Sequence, residues 1–125
     1  MNFDKVIAGF FIIFAMTLNF GFFYGDIEKI DLHSKYELFA AIVINIIATV
    51  LKLGDRTQMG SVLLATSLVA VIQLVAAASV WAMSGYNVEL STETTAVIIS
   101  LSGGALLANI TSVILYIGET VKSKR

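Results

Sequence analysis

The sequence contains no cysteine, no proline and a single histidine. Without cysteine there is no disulfide, no thiolate nucleophile and no sulfur metal ligand, and cysteine usage leaves the redox compartment unread. Without proline, no helix interior loses a backbone donor, so long unbroken helices are open to the chain. The one histidine, His33, cannot supply the pair of axial ligands that commonly holds haem between helices. With Asp31 it makes too small a set for a metal site. Charge is scarce too: 14% of the 125 residues are Asp, Glu, Lys or Arg, and the formal net charge is −1. No Lys/Arg-rich segment offers the basic surface that nucleic acid requires. No G-x-S-x-G motif occurs, and His33 is separated from the serines of the apolar runs. The expectation is a protein that is not an enzyme and uses no cofactor and no metal.

What fills the chain instead is apolar. Hydrophobic residues make up 58% of it, with a mean hydropathy of +0.89, well above the usual soluble share. The charged knot Lys52-Leu-Gly-Asp-Arg56 is followed by 25 uncharged residues, Met59 to Met83. That run is long enough to cross the roughly 30 Å hydrocarbon layer as a helix. A second uncharged run of 25 residues spans Thr94 to Gly118, and a run of 20 spans Val6 to Gly25. The first run has a basic residue before it, as a signal peptide does, but it lacks a small-x-small cleavage site and reads as a retained helix. Its end carries Phe20, Phe22, Phe23 and Tyr24, rings suited to the headgroup level. Gly21 and Gly25 form a G-x-x-x-G pair that would let another helix approach.

Leu38 to Leu51 has 14 uncharged residues. It reaches the spanning minimum of about 17 only if Lys52 snorkels its ammonium to the interface. Ser34-Lys-Tyr-Glu37 matches a capping box before this run, Asp55 is placed to cap the next helix, and Ser91 with Glu93 to cap the last. The expectation is an all-α polytopic membrane protein, one domain of four transmembrane helices over about residues 6–25, 37–53, 57–84 and 92–118. Lys5, Lys52, Arg56, Lys122, Lys124 and Arg125 fall on one side and only Lys29 and Lys35 on the other. The positive-inside bias then predicts both termini in the cytoplasm.

No Asp, Glu, Lys, Arg or His lies inside the runs away from their ends, which argues against a proton-coupled carrier. The runs carry amides and hydroxyls. Asn45 lies near the middle of the second run and Gln73 near the middle of the third, sharing a helical face with Thr66, Ala70 and Ala77. Asn109, in the fourth, shares a face with Ser102, Ala105, Ser112 and Tyr116. Such a stripe serves interhelical hydrogen bonding, or lines a path in which side-chain oxygens replace part of an ion's hydration shell. Asp26, Glu28 and Asp31 make the outer link acidic, a candidate cation-collecting mouth or a solvated loop. Lys52, Asp55 and Arg56 read as a cap and anchor on the cytoplasmic side, or as a docking point for a soluble partner or anionic lipid.

Leu51 to Ala70, reading LKLGDRTQMGSVLLATSLVA, together with FFIIFAMTLNFGFFYGDIE near the start, resembles a family of small uncharacterised bacterial inner-membrane proteins with four predicted helices. The resemblance implies a bacterial inner membrane and supplies no activity. The functional expectation is a small, cation-preferring ion-conducting subunit, homo-oligomeric in the lipid bilayer. The alternative is a non-catalytic accessory or scaffolding subunit bound to a larger membrane or cytoplasmic protein.

Overall fold

The computed structural model describes residues 3–24, 35–53, 57–85 and 90–123. These form four helices: α1 (Phe3–Phe23), α2 (Lys35–Leu51), α3 (Gln58–Ser84) and α4 (Thr92–Ser123). Local chemistry sets several of their ends. Thr57, in extended backbone, caps α3 by accepting from the Gly60 amide at 2.9 Å. The expected cap, Asp55, lies outside the described residues, as does Ser34. Ser91 caps α4, its hydroxyl accepting from the Thr94 amide at 3.1 Å. At the end of α3, Gly85 takes φ of 92° while its amide returns to the Ala82 carbonyl. A side chain is strained in that conformation, so glycine stops the helix cleanly. α2 ends in a tightened turn, with the Lys52 amide on the Thr49 carbonyl and the Leu53 amide on that of Val50.

Each helix packs antiparallel on its chain neighbours, and α4 closes the ring onto α1. We call proximal the end where α1 and α3 begin and α2 and α4 finish. Two glycines of α4 let its neighbours approach. The ring of Phe23 from α1 lies where a Cβ on Gly103 would meet it at 2.8 Å, and the Gln73 amide of α3 lies over Gly104. At the distal end Gly21 seats the carboxyl group of Glu37. One glycine of the G-x-x-x-G pair therefore receives a side chain from α2; the other, Gly25, is outside the described residues.

The distal half of the interior holds the larger apolar cluster, with Phe22, Leu38, Leu74, Trp81, Ile98 and Ile99 packed together and the Phe22 and Trp81 rings 6.1 Å apart. A smaller apolar group, Ile12, Ala48 and Val113, lies toward the proximal end. The outside is more hydrophobic still: Phe39, Ile72, Leu107 and Ile114 are each more than 60% exposed. Leaving such side chains in water forfeits about 25 cal/mol per Å² of apolar surface. Lipid removes that cost. Three helices, α1, α3 and α4, are long and apolar enough to cross a membrane, consistent with a multi-pass membrane protein. α2 has 17 residues.

Candidate functional site: a polar seam around Lys52

α3 and α4 each turn one heptad-spaced face inward. On α3 it is Gly60, Leu63, Ser67, Ala70, Leu74, Ala77 and Trp81. Gln73 and Thr66, expected at the centre of the polar face, sit half-buried at its edge. On α4 the buried face includes Thr95, Ser102, Ala105, Asn109 and Ser112, so the expected stripe points into the bundle. The proximal half of the α3–α4 contact thereby becomes a seam of hydroxyls and amides.

Lys52 enters this seam. Its side chain was expected to snorkel outward; instead it folds back into the bundle and is only 7% exposed. The ammonium donates to the Ser67 hydroxyl and, at 3.5 Å, to that of Ser112. Ser112 is also hydrogen-bonded to Thr66, and the Thr66 hydroxyl lies 2.8 Å from the Leu63 carbonyl, to which it donates. With Thr66's proton committed there, a continuous chain of donors runs from Lys52 through Ser112 and Thr66 to the backbone of α3. The physical reason for the inward turn is local. Lys52 lies just past the last turn of α2, beside small hydroxyl side chains that leave room for its stem and accept from its head.

The remaining polar groups divide into satisfied and unsatisfied. Asn45 is buried but donates to the Ala41 carbonyl of its own helix at 2.7 Å, and the Thr49 hydroxyl returns to the Asn45 carbonyl. Ser102 likewise bonds within α4, to Ile99. Asn109 is 3% exposed, and its amide nitrogen has no partner. Asn19, in α1, is wholly buried with both amide atoms unpartnered, and the Thr95 hydroxyl is unpartnered as well. Leaving such a group unpaired costs about 1–3 kcal/mol.

The structure thus brings Ser112 together with Lys52, keeps Asn45 and Ser102 on their own helices, and seats Gln73 against Gly104. Asp26, Glu28, Asp31, Asp55 and Arg56 lie outside the described residues. Sequence reasoning did not single out Ser67, and it noted the Asn19 amide, nearer the outer end of the first run, without placing it in a candidate site. The signal for Ser67 was present in the spacing from Gly60 to Trp81, which places it on the central buried row. Among the described residues, no group of three or more acidic or histidine side chains gathers in a metal-binding arrangement.

A family of unknown function (DUF6394) matches residues 32–120. The chain belongs to that family. The match to DUF6394 takes in α2, α3 and nearly all of α4, and with them Lys52, Ser67, Asn109 and Ser112; Asn19 precedes it. No curated protein and no solved structure matches the chain.

Proposed function

We propose that the protein is a small ion-conducting subunit of a bacterial inner membrane, crossing it four times with both termini in the cytoplasm. The observation that carries this reading is the seam itself. A bundle with an apolar exterior concentrates an ammonium, several hydroxyls and an unpartnered amide along one internal interface. An ionisable residue within a membrane bundle costs several kcal/mol to desolvate and commonly marks an ion pathway. The Lys/Arg bias supports the orientation. α2 completes the fourth crossing at the lower limit of length.

Ser102, Asn109 and Ser112 are buried within a single bundle. That removes them from any axis between copies, so the proposed path lies inside each protomer. Homo-oligomers, if formed, would meet through exposed apolar faces. The acidic link with Asp26, Glu28 and Asp31 would enrich cations at one mouth. Against this, a fixed ammonium repels a cation 4 Å away by about 4 kcal/mol at an effective dielectric constant of 20. The sign of the permeant ion is therefore set in the seam rather than in the links.

A second reading, a non-catalytic accessory subunit of a larger membrane complex, draws support from the Thr66–Ser112 hydrogen bond and the seating of Gln73 on Gly104. Both are cross-helix contacts of the kind that hold bundles together. Ion flux from proteoliposomes containing only the purified chain separates the two. Flux lost in Asn109→Leu with the fold retained supports conduction. Impermeable vesicles, with one large partner co-purifying from the membrane, support the accessory role.

A further inference from the structure

We propose that Lys52, Ser67, Ser112 and Asn109 form a binding site for a small monovalent inorganic anion, a deepening that rests on the ion-conducting reading. The argument is a count of donors. An ammonium offers three N–H groups; here two go to the neutral oxygens of Ser67 and Ser112. Among the described residues no carboxylate pairs with Lys52. Asn109 lies one helical turn before Ser112 on the same buried face, and its amide nitrogen has no acceptor at all. Among the described residues, Asn109 thus lacks an acceptor for its amide nitrogen and Lys52 lacks a negative one, and both side chains are more than nine-tenths buried.

The hydroxyls fit this role because they rotate. Ser112 passes its proton toward Thr66 while accepting from Lys52, which leaves the Ser67 hydroxyl proton, one ammonium proton and the Asn109 amide uncommitted among the described residues. Hydrogen bonds to an ionised partner are roughly twice as strong as neutral ones. A metal cation is excluded by the ammonium. A multiply charged oxyanion would bring more charge than one lysine neutralises. A halide-like ion matches the single positive charge and the small number of donors.

The test uses the full chain in detergent micelles or nanodiscs, with chloride as the probe, gluconate as the replacement anion and bromide as the competitor. Wild-type protein is expected to broaden the chloride NMR line and to lose that broadening as bromide is added. Lys52→Arg should retain the broadening and Lys52→Met should lose it. Ser112→Asp should lose it too, because the new carboxylate supplies the missing counter-ion from within. Circular dichroism and thermal unfolding of Ser112→Asp are measured alongside, and with a wild-type-like spectrum and midpoint the loss there stands even if Lys52→Met fails to fold. Wild-type protein that leaves the line unbroadened, or variants at both positions that broaden it fully, would overturn the site. Chloride binding without flux refutes conduction alone; flux without chloride binding refutes this site alone.

Discussion

Lys52, just past the end of α2, buries its ammonium against the hydroxyl of Ser67 on α3. This contact ties a short helix to a long one at the point where α2 has no residues left. Desolvating the ammonium costs several kcal/mol, and hydroxyl dipoles return only part of it. The carbonyls at the C-terminus of α2 add a favourable field for a cation.

The asymmetry of that contact predicts opposite behaviour from its two partners. Ser67→Ala leaves the ammonium buried with one partner fewer and should destabilise the bundle by about 1–3 kcal/mol. Lys52→Met removes the charge while keeping the stem, and should be neutral or stabilising, as replacement of buried charge by apolar groups often is. Thermal unfolding in detergent, followed by the fluorescence of the single tryptophan, Trp81, measures both. Equal losses from the two variants would show that the contact is a net stabilising latch.

The helices were legible because runs without charge or proline leave few alternatives, and the inward face of α4 followed from the spacing of Ser102, Asn109 and Ser112. The destination of Lys52 was not legible. A lysine past the end of a short apolar run has two ways to satisfy its ammonium, outward to water or inward to hydroxyls. The choice depends on which faces of α3 and α4 lie beside it. For the same reason part of the central row of α3 was displaced by one residue: Ala70 and Ala77 face inward as expected, but Ser67 and Leu74 take the buried places expected for Thr66 and Gln73. Gln73 is tolerated beside Gly104 because that position has no side chain.

This pairing gives a second prediction. A Cβ on Gly104 would lie 3.0 Å from the amide carbon of Gln73. Gly104→Ala should therefore push the flexible end of Gln73 aside, at an overpacking cost of about 1 kcal/mol that offsets the helix-propensity gain of similar size. Adding Gln73→Ala should recover most of that cost, since it removes the group that is struck. A double-mutant cycle in detergent, read by unfolding midpoint, tests this; purely additive effects would place the strain elsewhere.

The proposed four crossings predict labelling from defined sides. Because the chain has no native cysteine, single cysteines report without background. Lys35→Cys and Ser91→Cys should react with a membrane-impermeant maleimide added outside intact cells. Leu53→Cys and Lys122→Cys should react only after the membrane is opened. If Lys35→Cys and Leu53→Cys label from the same side, α2 does not cross, and the bundle contributes three spans rather than four.

Asn19 and Asn109 separate packing from permeation. Both are buried with unpartnered amide nitrogens, so on stability alone replacing either by leucine should remove an unpaired group and gain up to about 1–3 kcal/mol. Their surroundings differ. Asn109 lies one turn from Ser112 in the seam, whereas Asn19 belongs to α1. Asn19→Leu should raise the unfolding midpoint and leave proteoliposome flux unchanged. Asn109→Leu should hold or raise the midpoint while abolishing flux, because the seam would lose the amide that faces the ion. Flux surviving in both variants would mean that the polar interior between α3 and α4 serves cohesion alone, and conduction through it would have to be abandoned.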